Sequence, residues 1–129
     1  MPLTFTNVDL VVSSDHDLAP LVENLEQRGL FCLDTRRENE KVVRATFETS
    51  EVEPTLTSAV VNLLLEAEKL EGGLLDLWQH SRRELNFGFT ESLQEFSGEI
   101  HIPLEVLRLI ADAGASMAVT MYRSNRFSR

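Results

Sequence analysis

Leu56, Ala59, Val60, Leu63, Leu64, Ala67 and Leu70 recur at the spacing of one helix face. An apolar stripe of that length has to be buried against another element. Upstream, Val43, Ala45 and Phe47 alternate with Arg44, Thr46 and Glu48, the period-two pattern of a half-buried strand. A chain that switches between these two periods folds as a sheet with helices packed on it.

The remaining segments extend that pattern. Leu3 to Val12 alternates and reads as a first strand. Ser13-Ser14-Asp15-His16-Asp17 stops it and offers helix caps, and Leu18, Leu21, Val22 and Leu25 mark a helix over 18–28 that Gly29 ends. Leu30 to Asp34 reads as a second strand, Arg36 to Glu40 as a hairpin turn, and Val42 to Thr49 as a third strand. Glu51-Val52-Glu53-Pro54 opens the long helix, with Pro54 in its first turn, and Gly72-Gly73 closes it.

Leu74, Leu77 and Trp78 suit a helix face. The two glycines before them and Leu85-Asn86-Phe87-Gly88-Phe89 after them favour two strands joined at Ser81-Arg82-Arg83. The pattern then predicts a polar loop over 90–98, a short strand over Glu99–Ile102 and a helix starting at Pro103. Leu104, Leu107, Ile110 and Ala111 would face inward on that helix, Gly114 would close it, and Ser116–Tyr122 would form a last strand. The fold expected is α+β: a ferredoxin-like βαββαβ unit followed by an extra β-α-β, with a mostly antiparallel sheet and helices on one face. Residues 1–122 form a single domain and 123–129 a basic C-terminal tail.

The chain has 129 residues, 43% of them hydrophobic, enough for a core without disulfides. Its single cysteine, Cys32, excludes an internal disulfide and a cysteine-based zinc cluster. In Leu30-Phe31-Cys32-Leu33 it reads as a buried thiol. The first residues lack the basic and apolar regions of a secretory signal, and no apolar run reaches the ~18 residues of a membrane span, so a cytoplasmic location is expected.

Charge narrows the function classes further. The net charge is −9, and all of it lies in residues 1–81, with 15 acids against 6 bases. Such a chain repels phosphate backbones. Its arginines are scattered except at Arg123, Arg126 and Arg129, and its third strand lacks the exposed aromatics of an RNA platform, so no nucleic-acid partner is expected.

No motif carries catalysis. Asp15-His16-Asp17 has the composition of a metal or general-base cluster, but it precedes a helix, where capping accounts for it. His80 and His101 have no metal-ligand spacing, no Gly-x-Ser-x-Gly elbow is present, and Gly72-Gly73 follows a helix instead of cradling phosphate ahead of one. No enzyme activity, metal or other cofactor is expected.

The acids are the remaining signal. If the first and third strands run parallel, their C-terminal ends share a sheet edge and gather Asp15, Asp17, Glu48, Glu51 and Glu53. Helix-dipole complementarity and solubility account for such a cluster. So does a negative patch that docks on a basic protein. Trp78, Arg82 and Arg83 make a second candidate surface if Trp78 is exposed; if buried, Trp78 is a core filler.

Residues 83–89, 102–107 and 111–122 (Arg83-Glu84-Leu85-Asn86-Phe87-Gly88-Phe89, Ile102-Pro103-Leu104-Glu105-Val106-Leu107 and Ala111-Asp112-Ala113-Gly114-Ala115-Ser116-Met117-Ala118-Val119-Thr120-Met121-Tyr122) resemble a family of small bacterial α+β domains of unknown function. The resemblance covers roughly residues 56–122. Such domains are similar to the acidic immunity proteins of polymorphic toxin systems. The resemblance implies a non-enzymatic protein that neutralises a cognate toxin, with Asp15, Asp17, Glu48, Glu51 and Glu53 as the contact set. The alternative expectation is a ligand-sensing regulatory domain that binds a small metabolite between subunits. A homodimer is compatible with both.

Overall fold

The computed structural model describes residues 3–91 and 99–123. Its elements are β1 (Leu3–Ser14), α1 (Ala19–Gln27), β2 (Phe31–Arg37), β3 (Val43–Glu48), α2 (Leu56–Glu68), α3 (Gly72–His80), β4 (Arg82–Glu91), α4 (Leu104–Asp112) and β5 (Ser116–Arg123). The fold is α+β. One five-stranded mixed sheet has the order β2-β3-β1-β4-β5. Three neighbouring pairs are antiparallel; β4 and β5 are parallel.

Side-chain alternation decides which face is buried. Val8, Leu10 and Val12 of β1, Ala45 and Phe47 of β3, and Leu85, Phe87 and Phe89 of β4 point to one side. There they join Leu21 and Leu25 of α1, Ala59, Val60, Leu63, Leu64 and Ala67 of α2, Trp78 of α3, and Val106 and Ile110 of α4 in a single core. Phe5 meets Phe89 edge-on at 6.0 Å within this layer.

Local chemistry sets the helix ends. Thr55 caps α2 in a reciprocal box: its Oγ1 accepts from the Ser58 N–H at 3.0 Å, and the Ser58 Oγ accepts from the Thr55 N–H at 3.0 Å. Pro54 therefore precedes the cap, and the sequence expectation that it occupies the first turn is corrected. Asp17 Oδ1 accepts from the Ala19 N–H at 2.9 Å, but the N-cap of α1 is Leu18, which makes no side-chain cap, so the cap position itself is not filled from the Asp15–Asp17 cluster as expected. After α1, Gly29 takes φ 100° and the Leu30 N–H returns to the Leu25 carbonyl at 3.1 Å.

Four sequence expectations are corrected. Residues 74–80 belong to a helix, not a strand: Leu74, Leu75, Leu77 and Trp78 form one apolar face, and Gly72, at φ 59°, lets the chain turn from α2 into α3. Residues 99–102 form no strand, so α4 and β5 alone extend the first seven elements. Helix α4 turns inward with Val106 and Ile110, leaving Leu104, Leu107 and Ala111 exposed. Cys32 is half-buried at an irregularity in β2, its thiol 3.4 Å from the Asp34 carbonyl. Thr90 and Glu91 belong to β4 and not to the polar loop expected over 90–98; residues 92–98, and the basic tail from 124, lie outside the described residues.

Candidate functional site

The second face of the sheet carries no helix among the described residues, and its side chains follow from the register. Strand β1 contributes Asp9, Val11 and Ser13 there, opposite in parity to Val8, Leu10 and Val12. Ser13 pairs with Arg44 of β3 and with Arg82 of β4, and Arg44 pairs with Arg36 of β2. Directly paired residues share a face, so Arg36, Arg44 and Arg82 form one row. With strands ~4.8 Å apart, that row spans about 15 Å.

Two residues along β1, Thr46, Val11 and Glu84 are in line, with Asp34 beside Thr46. Two further, Asp9 pairs with Asn86, and the Leu10–Phe47 register carries it to Glu48. Asn86 Oδ1 accepts from the Thr120 hydroxyl at 2.9 Å. The face is therefore polarised. An arginine row and a carboxylate row lie about 13 Å apart along the strands.

Both rows are strained electrostatically. Burial, and then the neighbouring Glu48 charge, push the Asp9 carboxyl up to about 6. Asp9 Oδ1 and Arg44 Nε are buried with no hydrogen-bond partner among the described residues. Arg44 reaches Glu38 only at 3.5 Å, and Arg36 reaches Asp34 at 3.4 Å. Neither exposed pair relieves the direct apposition of two arginines. A depression of about 560 Å³ opens beside this row, lined by Val11, Ser13, Arg44, His80, Arg82 and Glu84 among others.

The acidic cluster predicted from the sequence does not assemble. Strands β1 and β3 are antiparallel, so the end of β1 meets the beginning of β3, Ser14 opposite Val43. Asp15 and Asp17 therefore sit at the hairpin end, in a depression of about 460 Å³ shared with Arg37, Glu40 and Lys41. Glu48, Glu51 and Glu53 follow the far end of β3, about 20 Å away by strand rise. Glu51 accepts from the Thr49 hydroxyl at 3.2 Å, and both Glu51 and Glu53 are exposed.

The second candidate surface is also undone. Trp78 is 5% exposed and belongs to the core. Arg83 points inward, donating through Nε to the Ala113 carbonyl at 2.9 Å, through Nη1 to Ser81 at 2.9 Å and to Trp78, and through Nη2 to Gly114 at 3.1 Å. It holds the ends of α3 and α4 to β4. Only Arg82 of that trio faces outward, in the arginine row.

Each histidine is held locally. His16 lies 3.4 Å from Asp15, His80 Nδ1 lies 2.8 Å from the Asp76 carbonyl, and His101 lies 2.9 Å from Glu99. Among the described residues no three histidine, cysteine or acidic side chains converge as a metal site. No described helix is long and apolar enough to cross a membrane.

The residues the structure adds are Asp9, Arg36 and Arg44. The sequence carries a signal for Asp9, a lone acid opposite in parity to three buried valines and leucines. No signal links Arg36 and Arg44 to Arg82, because their alignment depends on pairing across three strands. Comparison with known protein families, with curated proteins and with solved structures finds no match.

Proposed function

We propose that this chain is a non-enzymatic binding module of the bacterial immunity or inhibitor type, and that its working surface is the sheet face without a described helix, called the bare face below although Val11 at its centre is buried beneath its neighbours. The observation that carries this is the juxtaposition of an arginine row with the Asp9–Glu48 carboxylates on a face that no helix covers among the described residues. Two like-charged rows that are poorly paired among the described residues cost stability, and a partner bearing the opposite charges would relieve them. The fitting partner, a cognate toxin, presents basic side chains to Asp9, Glu48 and Glu84 and carboxylates to Arg36, Arg44 and Arg82. The order β2-β3-β1-β4, with helices between β1 and β2 and between β3 and β4, supports a ferredoxin-like unit to which α4 and β5 are added. Action in the cytoplasm belongs to the same proposal.

The test is co-expression with candidate toxins, including any secreted protein that sequencing finds encoded beside this gene. The unmodified chain should protect the host and bind with an association rate that falls steeply with salt. Arg44→Glu and Glu48→Lys should each abolish protection, whereas Asp17→Asn should not. Protection that survives both reversals would reject the bare face as the working surface.

One observation favours the alternative, a metabolite-sensing regulatory domain. The depression beside Arg44 and Arg82 has the size of a small-molecule site. On that reading, a small dicarboxylate or phosphorylated metabolite raises the melting temperature of the isolated chain, and Arg82→Ala removes the shift.

A further inference from the structure

The two edges of the sheet are built differently. Strand β2 breaks register between Cys32 and Asp34 and carries Asp34, Arg36 and Arg37, the features that discourage edge pairing. Strand β5 has an unbroken register with β4 from Ser116 onwards and no charge from Ser116 to Tyr122. Its Met117, Val119 and Met121 stand beside the fully buried Leu85, Phe87 and Phe89, yet they are 37%, 56% and 46% exposed. Helix α4 packs towards α2 and leaves them uncovered, and it turns Leu104 and Leu107 outward as well, 57% and 41% exposed. An uncharged edge strand with three exposed large apolar side chains, beside a helix that exposes two more, is an interface or an aggregation hazard.

We propose that two copies of this chain pair antiparallel along β5 about a twofold axis, fusing their sheets into one. The axis keeps helices on the same side in both copies, so the Met117–Val119–Met121 row of one meets the same row of the other. The self-complementary apolar row points to a second copy as the occupant, and charge permits it. The molecule carries −9, so two copies repel on acid-rich surfaces, whereas Ser116 to Tyr122 is uncharged and residues 82–129 are neutral as a whole. Covering the exposed apolar side chains of β5 and α4 and the strand edge, which pairs with nothing among the described residues, removes about 1,000 Å² over both copies, the lower bound of a specific interface. The pairing closes after two copies because the other edge, β2, is blunted. It leaves the bare face free, so it stands or falls separately from the proposed function.

The test is the mass of the full chain in solution by light scattering, from low to high micromolar concentration. The expected species has twice the 14.6 kDa chain mass. Val119→Lys should weaken dimerisation about tenfold or more. Val119 is over half exposed, so that variant should retain its circular dichroism and cooperative melt. Amide exchange in the unmodified chain gives an independent reading: alternate β5 amides should be protected at high concentration and exchange rapidly on dilution. A monomer at every concentration with unprotected β5 amides would overturn the proposal, leaving the edge to another protein's strand. Open-ended assembly, or a dimer untouched by Val119→Lys, would also overturn it.

Discussion

The Arg83 guanidinium lies 5.2 Å from the centroid of the Trp78 ring, and the same side chain donates a hydrogen bond to the Trp78 backbone carbonyl. One residue thus covers the largest core side chain of α3 and ties the end of that helix to β4. Its other donors take the Ala113 and Gly114 carbonyls where α4 ends. A planar fork with several donors is needed to reach carbonyls from two helices at once.

Arg83→Met should therefore cost about 3 kcal/mol, from lost charge-assisted hydrogen bonds and the lost cation–π contact. Arg83→Lys should recover less than half of that, since one ammonium cannot span both helix ends. Urea denaturation followed by Trp78 fluorescence measures both. A loss under about 1 kcal/mol for Arg83→Met would show that the carbonyls find other partners.

Asp9 reports on the bare face through pH. Its folded carboxyl titrates at about 6 against an ordinary 3.8, so the folded state holds the proton more tightly than the unfolded chain. Stability should fall as pH rises through that interval, and the penalty should be complete above it. Asp9 is half-buried, and solvent screening reduces the penalty to about 1 kcal/mol. Asp9→Asn should raise the melting temperature by about 3–6 °C at neutral pH, and the gain should vanish near pH 4. An equal gain at both pH values would show that Asp9 is not held protonated.

Gly88 is a packing position. A Cβ there would run into the Asn7 side-chain oxygen and stand 2.9 Å from Tyr122 Cε2. Gly88→Ala should destabilise by at most about 1 kcal/mol, because the ends of the Asn7 and Tyr122 side chains have to swing aside. Gly73, in α3 with open space around it and no positive φ, is the control. Gly73→Ala should stabilise by about 0.5–1 kcal/mol through the unfolded chain. Thermal melts of the two variants should move in opposite directions.

Arg44 separates stability from recognition. Its Nε is buried with no partner among the described residues, and its strand neighbour is Arg36. Arg44→Leu should leave stability within about 0.5 kcal/mol of the parent or raise it, because it removes an unsatisfied donor and a like-charge contact. The same variant should lose binding to a partner on the bare face. A large drop in stability would instead make Arg44 a structural residue.

Much of the fold is legible in local pattern. The stripe from Leu56 to Leu70 marks α2, the alternation from Val43 to Glu48 marks β3, and Gly29 and Gly114 mark helix ends, because each signal depends on neighbours three or four residues away at most. Helix α3 is harder to read. Gly72-Gly73 signals a stop, and only the turn at Gly72 reveals that a second helix follows. Leu104 and Leu107 mislead in another way: an apolar helix face shows what could be buried, not whether a neighbour lies there to bury it.

The site was the least legible part. Its chemistry depends on which strands are adjacent and how they run. The sequence alone determines the −9 charge, the single thiol, the apolar residues of the core and an α+β fold. Tertiary structure decides that β1 and β3 are antiparallel, which separates Asp15 and Asp17 from Glu48 and brings Asp9 to Glu48 instead. It likewise aligns Arg36, Arg44 and Arg82, residues far apart in the chain, because strand register converts distant positions into neighbours only about 4.8 Å apart per strand.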